Sequence, residues 1–315
     1  MIVRLLPGDP VTALLGSVVQ PEQIAAQKHR LGLDKSVVEQ YWIWLKDLFN
    51  GDLGTSFVTS NPVFKDLGDR LPATFELILL ALFLTMVLLV PLAVLSARRT
   101  RSIYSKTVDR GVSTYGMLAG ATPDFWLAIL LVVIFYSQLH WAPAPLGRLD
   151  IALVAPPDRT GFLTIDSIIA GRWDALGSAA AHLAMPVATL TFVYGAPILK
   201  MTRLTMMRML ESEYIQQGRA AGLSEFTLLR IALKNSLPPV ITLGGVTFGY
   251  AIGGSVLVET VFSWGGFGQY AVQAIGNADF FAVQGFVLIA TALSIVIFLI
   301  VDLLHYAIDP RVEMQ

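Results

Sequence analysis

Long uncharged runs of apolar residues recur along the chain and define its organisation. A helix needs about 20 residues to cross a hydrocarbon core of roughly 30 Å. Three runs reach that length without a charged residue, at 77–97, 237–258 and 280–301. A fourth, 112–139, qualifies if Asp124 is buried in protein, and the short run 183–199 can extend over His182 and Lys200. The pattern predicts an all-α membrane protein with five visible spans.

Basic residues are concentrated in two of the connections between these runs. The connection after the run 77–97 contains Arg98, Arg99, Arg101, Lys106 and Arg110. The connection after the run 183–199 contains Lys200, Arg203, Arg208, Arg219, Arg230 and Lys234. The connection 262–282 has no Lys or Arg, and 141–181 has three arginines against four aspartates. Short basic loops stay in the cytoplasm. Both basic loops and the C-terminal tail with Arg311 are therefore predicted to be cytoplasmic, and residues 1–73, 141–181 and 262–282 extracytoplasmic.

The N-terminal segment begins MIVRLLPGDP, which looks like the last turn of a helix followed by a break. Because nothing upstream would otherwise drive translocation of this segment, a missing first transmembrane helix is expected. The alternative is that Met1 is the true start and the segment is exported tail-first. Helices are predicted at 21–31 and 37–49, with a turn at 51–57.

These patterns divide the chain into three parts. Residues 1–73 would comprise the end of a first span and an extracytoplasmic segment. Residues 74–310 would form the transmembrane domain, with a cytoplasmic loop at 200–237. Residues 311–315 would be a cytoplasmic tail.

Composition supports a membrane protein and argues against metal chemistry. Of the 315 residues, 55% are hydrophobic and 14% are charged, which is atypical of a soluble domain. The chain has no cysteine, so disulfides and thiolate metal sites are excluded. Its four histidines are scattered singly and lack the spacing of metal ligands.

A polar stretch interrupts the apolar pattern at 212–239, SEYIQQGRAAGLSEFTLLRIALKNSLPP. Ser212 is a candidate N-cap, and Gly222 stands where a helix would end in a left-handed residue. A second helix is predicted to begin at Ser224 and to stop at the proline pair 238–239. One of its faces carries Phe226, Leu229 and Leu233. Residue chemistry alone leaves two interpretations open, an interfacial helix on the bilayer and a docking element for another protein.

The same stretch resembles the cytoplasmic EAA loop of ATP-binding-cassette (ABC) importer permeases of the dipeptide, oligopeptide and nickel branch. The similarity lies in YIQQGRAAGLS and ALKNSLPPVIT, although Gln216, Gln217 and Gly218 replace the general Glu-Ala-Ala. It extends along the chain through LLPGDP, LGLDKSVVEQYWIWLKDLFNGDLGTSF, DRLPATFEL, TGFLTIDSIIAGRW, HLAMPVATL, VETVFSWGGFGQYAVQAI and VDLLHYAIDPR. In that family the permease is a type I importer bundle of six transmembrane helices, the first of which precedes Pro-Gly-Asp-Pro.

The resemblance implies a transport subunit that carries no ATPase of its own and needs no cofactor. The chain agrees, because it lacks a G-x-x-x-x-G-K-[ST] phosphate-binding loop. The implied partners are a second homologous permease, two ABC ATPase subunits, an extracytoplasmic substrate-binding protein and the lipid of a bacterial cell membrane, with no nucleic acid. The residues implied in ATPase coupling are Tyr214, Arg219, Ala220, Gly222, Leu223 and Ser224, although Arg219 could equally be solvated without a role.

Polar and aromatic residues within or beside the spans are candidates for a translocation pathway. They are Asp124, Thr189, Tyr194, Thr247, Tyr250, Trp264 and Gly265. Ionisable residues inside a membrane are usually functional, but Asp124 after Pro123 could instead cap a helix kink. The hydroxyl residues could satisfy one another inside the bundle, and VFSWGGFGQYAV could be a packed turn. Glu259 and Asp302 lie near span ends, where snorkelling or pairing between subunits is the expected role.

Three other functions are alternatives to peptide import. A nickel, glutathione or other small-solute importer of the same branch would share these motifs. A secondary transporter should show inverted repeats with broken spans and central carboxylates, and no such symmetry is visible. A membrane hydrolase would need a nucleophile elbow or paired metal ligands, which the sequence also lacks.

Overall fold

A computed structural model of the chain describes residue 29, residues 34–97 and residues 103–308. Its regular elements are helices, and the extended pairing within these residues is an isolated bridge between Thr55 and Pro62. The helices in chain order are α1 (Val37–Phe49), α2 (Val63–Ala97), α3 (Ile103–Ala121), α4 (Asp124–Gln138), α5 (Leu163–Ile169), α6 (Trp173–Leu210), α7 (Glu213–Ala220), α8 (Glu225–Gly254), α9 (Val256–Val261), α10 (Phe267–Gly276) and α11 (Phe280–Ile308). Short π-helical turns lie within α2 and at the end of α4.

Four helices, α2, α6, α8 and α11, are long and apolar enough to cross a membrane without interruption. These confirm four of the expected spans, but each is longer than its uncharged run. The run 112–139 is not one straight helix, because α3 and α4 meet at a bend of 104°. Pro123 has no backbone N–H and disfavours helical geometry at the residue before it, so the helix breaks there. The segment is a fifth span only if α3 and α4 are counted together as one bent span.

The prediction that the proline pair 238–239 stops a helix is wrong. Helix α8 continues through Pro238 and Pro239, and α6 likewise contains two prolines. Each proline removes the donor to the carbonyl group four residues before it, and these groups belong to Lys234 and Asn235, which are both exposed. On either side of the freed groups, Ser236 Oγ donates to Ala232 O at 2.8 Å, and Thr242 Oγ1 donates to Pro238 O at 3.1 Å.

The helix predicted at 37–49 is confirmed as α1. Ser36 and Glu39 form a reciprocal capping box at its start. The predicted turn follows it, with positive φ angles of 79° at Gly51 and 84° at Gly54. The predicted helix at 21–31, apart from residue 29, and the expected first span lie outside the described residues. Helix α2 begins at Val63, so no break in secondary structure marks the predicted boundary at 73/74.

The buried core is built on α2, α6 and α8, in layers along their length. One layer packs Leu67 of α2 against Ile252 of α8 and Phe267 of α10. A second packs Leu77 of α2 against Leu190 of α6 and further residues of α4 and α9. A third, at the opposite end of the bundle, joins the ends of α2, α6, α7 and α8. The short helix α7 is thus part of the packed bundle.

Candidate functional site

Helix α7 carries the predicted coupling residues and is fixed to the bundle by one buried side chain. Ile215 is 1% exposed and packs in the layer that contains Met206 of α6, Leu228 and Ala232 of α8, and Ala97 of α2. Ser212 occupies the predicted N-cap position, although its hydroxyl group donates to Met209 O at 2.7 Å and does not cap α7. Ile215 therefore fixes α7 to the ends of three long helices.

The turn after α7 is a Schellman motif. Gly222 N donates to Arg219 O and Leu223 N donates to Gly218 O, both at 3.1 Å. Gly222 has the predicted positive φ, 82°, and a methyl group placed on it would meet nothing within 4 Å. Ser224 then caps α8, accepting from Thr227 N at 3.2 Å. The tight turn is locally encoded, and glycine at 222 removes the backbone strain that another residue would bring.

The structure brings all six predicted coupling residues to one exposed surface, which we call the coupling surface: Tyr214, Arg219, Ala220, Gly222, Leu223 and Ser224. Beside it lies a shallow pocket of about 230 Å³ lined by Tyr214, Ile215, Gln217, Gly218, Ala221, Leu223, Leu228 and Ile231. Arg219 forms an exposed ion pair with Glu225, in which Nε donates to Oε1 at 2.9 Å. Such a pair contributes little to stability.

Phe226 is an exposed residue of this surface that the sequence did not single out. The pattern placed it on one face of the second helix together with Leu229 and Leu233. The structure buries Leu229, but it leaves Phe226 76% exposed next to the turn. Its position two residues after the N-cap Ser224 is the signal that could have identified it, because the first turn of a helix that follows a protruding loop has few neighbours.

The predicted pathway residues fall into two groups. Four of them are packed within the subunit or held in a turn. Thr189 is fully buried and donates to Met185 O at 2.9 Å, and Thr247 is also buried. Trp264 is buried and its Nε1 donates to Ala73 O at 3.0 Å, whereas Gly265 has a φ of 72° and donates to Gln269 Oε1. Three of these residues are therefore buried within the subunit, whereas Gly265 is exposed in its turn.

The other three pathway candidates are less buried: Asp124 and Tyr194 are partly exposed and Tyr250 is exposed. Asp124 is partly exposed at the bend between α3 and α4, and its carboxylate faces the hydroxyl group of Tyr194 on α6. The Tyr194 hydroxyl oxygen also abuts α8, since a methyl group on Gly254 would lie 2.3 Å from it. Tyr250, one turn before Gly254, is 73% exposed. The bend brings together residues from three separate helices.

The segment VFSWGGFGQYAV is packed against α2, as the packed-turn alternative expected. Trp264, Phe267 and Tyr270 are buried in it. Glu259 does not snorkel at a span end; it is fully buried and accepts from Thr74 Oγ1 at 2.6 Å and from Gln269 N at 2.9 Å. The expectation for Glu259 was therefore wrong, because a distant threonine and a backbone amide supply the hydrogen bonds that a buried carboxylate requires.

A second buried carboxylate, Asp166 of α5, organises the loop before it. It accepts from Thr160 N at 2.9 Å, Thr160 Oγ1 at 2.8 Å, Gly161 N at 3.1 Å and Arg159 N at 3.3 Å. Burial by itself would raise the pKa of Asp166, but these hydrogen bonds outweigh it and the pKa is lowered from its usual value. The charged form therefore holds the 159–161 loop on α5.

We expect this loop to loosen in acid. A lowered folded-state pKa gives stability that is complete above the unfolded value of about 3.9 and is lost as the pH falls through the folded pKa. Hydrogen exchange at amides 159–161, corrected for its intrinsic pH dependence, should accelerate as the pH falls below about 4. Asp166→Asn should exchange faster at neutral pH and lose this dependence, whereas Asp158→Asn, at an exposed position, should behave as wild type. Constant protection of wild type in acid would contradict the role given to Asp166.

Comparison with known proteins identifies the family. The family described as "Binding-protein-dependent transport system inner membrane component" matches residues 89–314, and its N-terminal companion family matches residues 1–78. The chain is 37% identical to the "Probable D,D-dipeptide transport system permease protein DdpB" of Escherichia coli K12, over 99% of this chain and 91% of that protein. It is 35% identical to the "Di/tripeptide transport system permease protein DppB" of Pseudomonas aeruginosa UCBPP-PA14, over 100% and 92%.

A solved structure supports the fold. The chain superposes on a chain of the inward-facing MetNI methionine ABC transporter with a TM-score of 0.55 and 17% identity, over 78% of this chain and 96% of that one. At this identity the likeness concerns the fold alone, and it places the bundle among type I importer permeases. Together with the two family matches, which cover nearly the whole sequence, it shows that the chain belongs to the inner membrane components of binding-protein-dependent transport systems and is a multi-pass ABC importer permease, not an enzyme.

Proposed function

We propose that this permease takes up di- or oligopeptides and forms half of the translocation pathway. The support is the cargo named in its relatives, dipeptides and tripeptides, at 35 to 37% identity over nearly the full length. The pathway would be completed by a second homologous permease. An extracytoplasmic binding protein would deliver the peptide, and two ABC ATPase subunits would supply the energy.

The coupling surface is where we propose that an ATPase subunit docks. The observation that carries this is the combination of a buried Ile215 with exposed neighbours on the same short helix, Tyr214 among them at 64% exposure. A helix resting on the bilayer would direct its apolar residues into lipid, whereas Ile215 of α7 is directed into the bundle. The basic residues of 200–237 favour a cytoplasmic location for this loop, and Arg311 favours one for the C-terminus.

Coupling would work through rigid attachment. Movement of the ATPases would displace α7, and the layer around Ile215 would pass the displacement to α6 and α8. Together with α2, these are the three longest spanning helices. Interiors packed at the density of an organic crystal shift as units and do not absorb such a movement. Access would thereby switch between the two sides of the membrane.

The test is co-purification and ATP-driven peptide uptake of the complete complex with Gly222→Asp. Aspartate would strain the positive φ by roughly 1 kcal/mol and place a charge on the coupling surface. We expect the ATPases to be lost and uptake to fall by about tenfold or more, since 1.4 kcal/mol of docking energy corresponds to a factor of ten.

Gly51→Asp is the matched control. Gly51 also has a positive φ and open space around it, but it lies in the predicted extracytoplasmic segment. The same strain there should leave ATPase association intact. If the ATPases stay bound to the Gly222→Asp complex and uptake is unchanged, docking at this surface is wrong. If they associate with neither wild type nor variant, α7 is an interfacial helix.

A further inference from the structure

An intramembrane carboxylate lies without a cationic partner at the bend between α3 and α4. Asp124 faces Tyr194, which is close to the midpoint of the 38-residue helix α6. Among the described residues, no Lys or Arg forms an ion pair with Asp124. One of its oxygens, Oδ1, accepts a hydrogen bond at 2.7 Å from the adjacent Phe125 N.

The partial exposure of this carboxylate restricts what lies opposite it. A charged side chain facing hydrocarbon costs several kcal/mol, and intramembrane acids almost always face the bundle interior or a water-filled cavity, where they pair with another polar group. Tyr194, which contacts Asp124, and Tyr250 on α8 make a cation a suitable partner. Their hydroxyl groups and π faces attract cations, and ammonium groups are bound by combinations of a carboxylate with aromatic rings.

Tyrosine residues from two further helices complete the surroundings. The Tyr194 hydroxyl group lies between Asp124 and the backbone of Gly254. Tyr250 precedes Gly254 by four residues, so both occupy the same face of α8. The Tyr250 ring is 73% exposed, and no aromatic partner among the described residues covers it. The carboxylate of Asp124 and the hydroxyl group of Tyr194 therefore meet beside α8, and the exposed Tyr250 ring lies one turn of α8 away from that point.

We propose that Asp124, Tyr194 and Tyr250 form a subsite for a primary ammonium group, and that in transport it receives the α-amino group of the peptide in transit. The identity of the ligand rests on the proposed function as a peptide importer. The carboxylate of Asp124 supplies the charge and a hydrogen-bond acceptor, the Tyr194 hydroxyl group a second acceptor, and the Tyr250 ring a cation–π face. A weak, multipoint contact of this kind stabilises a charged end of the cargo midway through the membrane without trapping it.

The experiment uses the complete importer in proteoliposomes, with radiolabelled Ala-Ala as the probe. Asp124→Asn keeps the size of the side chain and the acceptor for Phe125 N, but it removes the charge. We expect its uptake to fall by about tenfold, while basal ATP hydrolysis and assembly of the complex stay at wild-type levels. Asp124→Glu, which keeps the charge, should retain a third or more of wild-type uptake.

Three further variants separate the subsite from a structural role. Tyr250→Phe keeps the aromatic face and should transport nearly as wild type, whereas Tyr250→Ala should lose several-fold in uptake. Asp302→Asn removes an exposed carboxylate elsewhere in the bundle and should change nothing.

The outcomes are distinguishable. Wild-type uptake by Asp124→Asn would overturn the subsite, and so would equal losses in the Asn and Glu variants, because shape and not charge would then be required. If the wild-type complex assembles and hydrolyses ATP but does not accumulate Ala-Ala, the peptide cargo is wrong, and the ligand assigned to the subsite falls with it.

Discussion

Glu76→Ala is expected to lower the free energy of unfolding by about 3–5 kcal/mol. Glu76 of α2 is 2% exposed and pairs with Arg148, whose side chain is mostly buried. The carboxylate also accepts from Thr164 N at 2.8 Å, Thr164 Oγ1 at 2.5 Å and Leu163 N at 3.3 Å. Alanine would leave a buried cation and two backbone amides without their acceptor, and each such loss is costly.

The loss should be concentrated in the segment 139–172, which joins α4 to α6 and belongs mostly to the connection 141–181 predicted to be extracytoplasmic. Arg148 also donates to Gly161 O at 3.2 Å and lies 5.9 Å from the centroid of the Trp264 ring. The Glu76–Arg148 pair therefore joins α2, this loop and the turn that precedes α10. Thermal unfolding in detergent, followed by tryptophan fluorescence, would measure the destabilisation, and limited proteolysis would show whether the loop is released first.

Two controls make this prediction specific. Asp69→Ala removes an exposed carboxylate from the same helix and should have little effect. In a double-mutant cycle, adding Arg148→Ala to Glu76→Ala should cost much less than Arg148→Ala in wild type, because the two groups interact directly. Additive losses from the two changes would show that the pair is not coupled.

Gly245→Ala is the second substitution with a large expected effect. It should lower the free energy of unfolding by about 1–3 kcal/mol. In most helices this change stabilises the fold. Here α8 and α11 pack at Gly245, and a methyl group on it would lie 1.9 Å from Val301 Cγ2. Gly249, four residues later, is similarly close to Phe298, at 3.1 Å. The spacing forms a small-residue stripe that lets two membrane helices approach closely.

Gly253 supplies the matched control on the same stripe. A methyl group at that position would meet nothing within 4 Å, so Gly253→Ala should be neutral or slightly stabilising. Combining Gly245→Ala with Val301→Ala should recover part of the lost stability, because the shorter side chain makes room. The melting temperature in detergent is the measurement, and equal values for the Gly245 and Gly253 variants would contradict close packing at Gly245.

Several features of the fold could be read from the sequence because they depend on neighbouring residues. The spanning helices follow from apolar runs of sufficient length, and α1 follows from its capping box at Ser36 and Glu39. The coupling surface also depends on residues that are neighbours in the sequence. Ser212, Gly222 and Ser224 are start and stop signals that act within a few residues, and the structure places the helix ends where those signals stand.

Other features could not be predicted, because the decisive partner is distant in the chain. Glu259 was assigned to a span end, yet Thr74, 185 residues away, holds it inside the protein. Glu76 received no role, and its partners in the loop are 72 and 88 residues away. The local pattern of charge and hydrophobicity does not predict these pairings.

The sequence by itself determined the helical class, the membrane spans, the Schellman turn at Gly222 and, through resemblance, the permease family. Only the tertiary structure decided that α8 runs through Pro238, that the span after α2 bends by 104° at Pro123, and that Asp124 meets Tyr194. The reason is physical. Helix formation and capping are set by short-range hydrogen bonds and periodicity. Distant side chains that fill the neighbouring space decide whether a charge is buried, a proline is tolerated or two helices approach closely.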